Sequence, residues 1–356
     1  MTRRSPFVPS RAARAACFLL AAAAAAVPAQ QSLQAGAPEL RSVWQLPATP
    51  PSPAENTWTE ERAELGKKLF FDPRLGGTGQ VTCASCHMPE RGWSDGQVTS
   101  RRFLGRDTRL NSPGLANIGF NTIVFWDGRV TTLEEQGFVA QGEAADINAG
   151  STVSTEDVVR RLAAIPGYQE LFAKAYPGEG VTRKSIAKAL ASFQRGIVSR
   201  DTPFDRWVAG DSSAMTAQQV NGFRLFLDPA KGACAGCHQP PNFTDNGFHN
   251  LGLKSYGEPG ALPGRHKVRP LQVMHGAFKT PPLRDVGLTR PYFHDGSAAT
   301  LRDVVEHYAR GGDVRTNLSP SFRKAELTDK EKDDLVAFLG ALTAEPRPFA
   351  YPVLPK

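Results

Sequence analysis

The string Cys-X-X-Cys-His occurs twice in the chain, as Cys83, Cys86 and His87 in CASCH and as Cys234, Cys237 and His238 in CAGCH, 151 residues apart. Two thiols one turn apart can add to the two vinyl groups of one porphyrin, and the adjacent histidine is then delivered to the iron. Each string therefore reads as the attachment site of a c-type haem. The flanks repeat as well. GKKLFFDP, Gly66 to Pro73, precedes the first string and GFRLFLDP, Gly222 to Pro229, the second, while Pro89 and Asp95 are answered by Pro240 and Asp245. Such an internal repeat means two copies of one unit. Two other uses of paired thiols remain open. A closed zinc site could employ both pairs, although such sites draw their ligands from nearer in sequence and need no histidine beside the second cysteine. A redox dithiol expects a βαβ setting, which is missing here.

The first 29 residues read as a secretory signal peptide. Arg3, Arg4, Arg11 and Arg14 precede an apolar run from Ala15 to Val27, too short to span a bilayer, that ends at VPA before Gln30. Cleavage after Ala29 removes four arginines and no acid, so the net charge of +7 falls to +3, which gives no argument for a nucleic-acid partner. Cys17 leaves with the peptide, and the four remaining cysteines are all used by the haems. The expected location is the periplasm, with no stable membrane span in the mature chain.

Residues 30–54, rich in proline, read as an extended leader. Helices are expected at about 55–70, 154–164, 182–199, 216–227, 300–309 and 328–342. In 182–199, Ile186, Leu190, Phe193 and Ile197 form one stripe. Strand signals are few, so the fold class is all-α: two tandem cytochrome c-like haem domains with long loops at 71–82 and 239–290. Pro203, Gly210 and Asp211 mark a joint at 202–214. It divides a first domain at 55–212 from a second at 213–345, with a tail at 346–356.

CASCH with a following SDG, FWDGR (Phe125 to Arg129), LEEQ (Leu133 to Gln136), CAGCH, FKTPPLRDVGLTRPYFHDG and TLRDVVEHY together resemble the bacterial di-haem cytochrome c peroxidases and their relative MauG. The resemblance covers about residues 60–345. It implies that the first haem reacts with hydrogen peroxide and that the second passes electrons to it. The electrons come from a small donor protein, a cytochrome c or cupredoxin, or from a protein substrate whose side chains are oxidised, as in MauG. A plain electron-transfer cytochrome is the non-enzymatic alternative.

Several roles follow by position in the family's motifs. Trp126 would couple the two haems; without the Asp127-Gly128-Arg129 that follows it, a core role would be the better reading. Gln136, ten residues on, and Asp146, ten further, would line the peroxide pocket. The family has glutamate at the latter position, and Glu143 is the rival acid. Many members close the resting peroxide haem with a histidine after the first motif. No His occurs between His87 and His238, and Phe103 lies near that position, so an open iron is expected; Met88 abuts the proximal ligand and cannot reach the opposite face. Eight residues after Thr300, where ordinary peroxidases carry methionine and MauG tyrosine, stands Tyr308. A phenolate lowers the potential of its iron, whereas a thioether raises it. Met274 is the rival ligand, and His249, His266, His275, His294 and His307 are further candidates. Asn111, Thr289 and Pro291 match the positions that hold a calcium ion between the domains.

Overall fold

The computed structural model describes residues 33–76, 79–100, 108–146 and 154–356, with backbone alone for 141–146. In these residues the helices are α1 (Pro38–Trp44), α2 (Glu60–Phe71), α3 (Leu133–Asp146), α4 (Thr155–Ala163), α5 (Pro166–Ala175), α6 (Arg183–Arg195), α7 (Pro203–Ala209), α8 (Ala217–Leu227), α9 (Leu301–Arg310) and α10 (Asp329–Ala341). Two strands of two residues each, β1 (Phe248–His249) and β2 (Phe278–Lys279), pair antiparallel. The fold is all-α, as the scarcity of strand signals implied. Helices α4, α6, α7, α8, α9 and α10 each start at a Ser or Thr whose hydroxyl accepts from the third residue, which reciprocates. These capping boxes satisfy amides that would otherwise lack partners.

The duplication becomes concrete where helices cross. A Cβ built on Gly66 of α2 would stand 1.9 Å from the Ala189 carbonyl oxygen of α6, and one on Gly222 of α8 would stand 1.9 Å from that of Asp334 of α10. Both crossings are backbone on backbone, and only glycine permits them. Around the first crossing Leu65, Leu69, Phe70, Leu190 and Phe193 are buried with Tyr168 and Phe172 from α5. Around the second, Phe223, Phe226 and Phe338 are buried.

Two readings of the sequence need correction. The leader at 30–54 is not extended throughout: Pro38 opens α1, and Leu40 and Trp44 are buried in the second core, with the Trp44 ring 4.8 Å from Phe243 and 5.4 Å from Phe223. The joint at 202–214 is largely helix. Thr202 and Asp205 form the capping box of α7, and Phe204, Trp207 and Val208 enter the second core, although the sequence had assigned them to the first domain. Apolar burial outweighs the loop signal of the proline in both places, because proline at the first helical position sacrifices an amide that has no partner anyway.

Candidate active site

Each Cys-X-X-Cys-His string is a tight helical turn closed by the histidine amide on the first cysteine's carbonyl, 3.0 Å for His87 on Cys83 and 2.9 Å for His238 on Cys234. This sets both thiols and the imidazole in one compact constellation. His87 Nδ1 lies 2.8 Å from the Trp93 carbonyl oxygen and His238 Nδ1 lies 2.9 Å from that of Phe243. Nδ1–H as donor leaves Nε2 free, the tautomer that an iron requires. Burial lowers the pKa of both rings, that of His238 to about 4, although the carbonyl bonds oppose it. Burial likewise pushes the thiols of Cys83 and Cys234 up to about 12 and that of Cys86 to about 11. Neutral imidazoles beside thiols in apolar surroundings fit a covalently tethered porphyrin. Among the described residues no group of potential metal ligands joins the two cysteine pairs, as a shared zinc site would require; the cluster that does form is Cys237 with Asp245 and His249.

A cavity of about 240 Å³ adjoins the second string, lined by Cys234, Cys237, His238, Trp126, Val305 and Tyr308. Tyr308 stacks on Phe322 at 5.5 Å, and burial holds its phenol far above the ordinary tyrosine range, so a facing cation is needed to ionise it. Its neighbour His307 fixes the rotation of α9: Nε2 lies 2.9 Å from the Leu251 carbonyl oxygen and Nδ1 3.5 Å from Asp313. Met274, His266, His275 and His307 are not among the residues lining this cavity. Met274 sits instead in a short turn, Gln272–Met274. His249 does line it, but both nitrogens are engaged, by Asp245 at 2.8 Å and Ser319 at 2.9 Å. His294 lines it stacked on Phe278 at 3.4 Å, and burial lowers its pKa to about 4.

FWDGR and YFHDG prove to be equivalent parts of the two units, an equivalence that sequence reading missed. At a constant offset of 168, Leu115, Asn117, Gly119, Phe125, Asp127, Gly128 and Leu133 match Leu283, Asp285, Gly287, Phe293, Asp295, Gly296 and Leu301. Asn117 and Asp285 have φ of 60° and 58°, and Phe125 and Phe293 both have 68°. The bridge between Val124 and Val130 recurs between Tyr292 and Ala298. Trp126 and His294 are therefore counterparts. Trp126 Nε1–H donates to the Asn111 carbonyl at 2.8 Å, its own carbonyl accepts from Lys279 N at 2.9 Å, and Asn111 N donates to the His294 carbonyl at 2.8 Å. Trp126 is thus pinned by residues of both units at the wall of the second cavity.

Gln136 lies on α3, where its Oε1 accepts from Gln194 Nε2 of α6 at 2.9 Å. Beside it Glu134 clasps Arg195 with two bonds of 2.6 and 2.8 Å and accepts from Asn56 at 2.6 Å, so LEEQ also ties α3 to α6. The side chains of Glu143 and Asp146 and the whole of Phe103 lie outside the described residues. By helix period, position 143 falls on the face of 136 and position 146 about 80° round from it. Asn111, Thr289 and Pro291 all border the second cavity. Thr289 is wedged against Gly92 and Gly114, where a Cβ would approach within 2.9 and 2.8 Å. Among the described residues the carbonyls of Thr289 and Pro291 accept no hydrogen bond, a donor set that suits a hard cation. Lys279 was not singled out in the sequence. It is buried in the cavity wall with Nζ on the Thr280 carbonyl at 2.8 Å, and burial lowers its pKa to about 8.

Residues 60–213 match the family model of the di-haem cytochrome c peroxidases. The chain is 42% identical over 338 residues to the methylamine utilization protein MauG of Methylorubrum extorquens, covering 94% of this chain and 92% of that one. The chain belongs to the di-haem cytochrome c peroxidase and MauG family. It is also 36% identical to the cytochrome c551 peroxidase of Nitrosomonas europaea, over 83% of this chain and 84% of the relative. A crystal structure of a MauG-like protein associated with microbial copper homeostasis superposes with a TM-score of 0.75 at 31% identity, over 85% of this chain and 95% of that one. As a member of the di-haem cytochrome c peroxidase and MauG family, the chain is an oxidoreductase that takes peroxide as oxidant and carries two haem c groups. No helix among the described residues is long and apolar enough to cross a membrane.

Proposed function

We propose that the protein is an exported enzyme that uses hydrogen peroxide to oxidise side chains of a partner protein: His87 would hold the haem at which peroxide is received, and His238 with Tyr308 would hold the second haem in surroundings that favour its oxidised form. The observation that supports this reading is the cavity wall, in which Tyr308 stands with His238 and Met274 does not take part. A phenolate makes a poor acceptor for electrons from a high-potential cytochrome and a good stabiliser of oxidised iron. When bound, iron porphyrin supplies cleavage of the peroxide bond and storage of its oxidising equivalents. The protein's own side chains do the rest. Gln136 and an acid from the last turn of α3, Asp146 or Glu143, handle the proton that the leaving oxygen needs. Trp126 couples the two sites, held rigid by Asn111 and Lys279. Asn111, Thr289 and Pro291 would hold a calcium ion, which would tie the loops of the two units together.

The test is to add peroxide to the fully oxidised protein, without donor, and to record optical and paramagnetic spectra. A long-lived state two equivalents above the resting one is expected. A protein that consumes peroxide only when a reduced cytochrome or cupredoxin is supplied would instead be a scavenging peroxidase, the second reading, which the match to the cytochrome c551 peroxidase favours. Export is checked by the mass of the mature chain, expected to begin at Gln30.

A further inference from the structure

Residues 346–356, read from sequence as a tail, run across the first haem unit. Lys68 Nζ donates to the Val353 carbonyl at 2.8 Å, and Arg74 Nη2 to that of Pro355 at 2.9 Å. Phe349 stacks on Phe71 at 5.3 Å and meets Trp93 edge-on at 5.2 Å. Tyr351 in turn meets both Phe349 and Phe71 edge-on at 5.3 Å. Trp93 is the residue whose carbonyl accepts from the proximal His87, and it is not part of the wall of the second cavity. Tyr351 is 57% exposed, and its hydroxyl donates to Glu90. An unbroken series therefore leads from the proximal ligand to the surface: His87, Trp93, Phe349 and Tyr351. Its two oxidisable members are separated by one phenyl ring, and a carboxylate waits at the outer one to take a proton.

We infer that Tyr351 is a surface outlet through which oxidising equivalents from the His87 haem reach small phenolic or hydroquinone donors. The inference rests on peroxide reacting at that haem. Tyr351 gives one electron through Trp93 to the oxidised haem while its O–H bond breaks, the proton passing to the Glu90 carboxylate; a neutral tyrosyl radical and a protonated glutamate result. The donor's O–H then returns a hydrogen atom to Tyr351, and Glu90 releases its proton. Two such rounds supply the two electrons and two protons that convert one hydrogen peroxide to two waters. The bond to Glu90 raises the pKa of the phenol, so electron loss and proton loss have to occur together. Trp126, by contrast, lines the cavity beside the second string, so the two tryptophans would serve different destinations.

The experiment is freeze-quench paramagnetic resonance of the holoprotein after peroxide, with and without ring-deuterated tyrosine, in wild type, Tyr351→Phe, Trp93→Phe and Glu90→Gln. The phenyl ring in Tyr351→Phe preserves the aromatic packing, which isolates the hydroxyl. A deuteration-sensitive tyrosyl signal is expected in wild type, absent from Tyr351→Phe, strongly reduced in Trp93→Phe and formed more slowly in Glu90→Gln. A signal unchanged in Tyr351→Phe would overturn the inference, as would a wild type whose first haem responds to peroxide without forming any tyrosyl radical. A first haem unmoved by peroxide would overturn the proposed function and this inference with it.

Discussion

Replacing Gly222 by Ala tests the claim that each haem unit is built on a glycine-mediated helix crossing. The new Cβ would lie 1.9 Å from Asp334 O, 2.7 Å from Asp334 C and 2.7 Å from Phe338 Cβ. All three atoms belong to, or are fixed to, backbone, so no rotamer change can relieve the clash and α8 must move from α10 by an ångström or more. Overpacking of this kind costs about 1–3 kcal/mol, occasionally more. The displacement also opens the contacts of Phe338 with Phe223 and Phe226, at 5.0 and 5.2 Å, each worth about 0.5–1.5 kcal/mol beyond area burial. The helix propensity gained from glycine to alanine returns only about 0.5–1 kcal/mol. The net expectation is a loss of about 1–5 kcal/mol. Gly340, exposed in α10 with no heavy atom within 4 Å of a built Cβ, is the control; Gly340→Ala should be neutral or stabilise by up to about 1 kcal/mol. Urea unfolding of the holoprotein followed by far-ultraviolet dichroism reads both, as a shift in midpoint at constant slope. If Gly222→Ala lies within about 0.5 kcal/mol of wild type, the close crossing is not what holds the unit together.

Tyr308→Met should raise the reduction potential of the second haem by a substantial part of the roughly 0.8 V that axial ligands command, read by spectro-electrochemical titration, and abolish the long-lived oxidised state; an unchanged potential would remove Tyr308 from the iron. Asp146→Ala should slow peroxide cleavage by about 10²–10⁴ in stopped-flow spectra without altering the resting haems, and an intact rate would pass the role to Glu143. Asp72 is buried and accepts from Tyr168 at 2.6 Å and from Arg74; burial opposes its ionisation, but these bonds prevail and lower its pKa below 3.8. Asp72→Asn should therefore cost roughly 1.5–3 kcal/mol near neutrality. Because the folded pKa is depressed, that contribution is present above the unfolded value and disappears as pH falls through the folded one, so wild type and variant should converge in acid and not in alkali.

What the sequence reveals about this protein is governed by which signals are chemical and which are conformational. The two attachment strings were legible because covalent haem chemistry fixes residue type and spacing together, and α6 because Ile186, Leu190, Phe193 and Ile197 form one apolar stripe. Helices α1, α5 and α7 were missed for one shared reason: Pro38, Pro166 and Pro203 each occupy the start of the helix, and a proline there is indistinguishable from a loop proline until the residues behind it are known to be buried. For α7 the signal was present in Thr202 and Asp205, a capping box that outranks the proline. The burial of Trp44 was out of reach, because the Phe204, Phe223 and Phe243 that enclose it come from three distant segments.

The correspondence between FWDGR and YFHDG escaped notice because the two units preserve conformation while exchanging contacts. In the first, Glu134 of α3 binds Arg195 of α6. Its counterpart at the same offset is Arg302 of α9, which binds Asp329 and Asp333 of α10. The charges are reversed and the helix-to-helix clasp survives. The units differ in side chains that this shared backbone carries: Trp126 against His294 and Asn111 against Lys279, all four in the wall of the second cavity, and Ala140 against the cavity-lining Tyr308. A duplication with identical haem-facing residues would give two equivalent irons and no direction for charge to flow. Divergence at these three pairs gives the second unit a buried phenol, which the proposed function uses as a ligand, and a buried lysine, and sets the first unit's tryptophan in the wall of its partner's cavity. The functional asymmetry of the molecule thus resides in a few side chains mounted on a backbone that is the same twice.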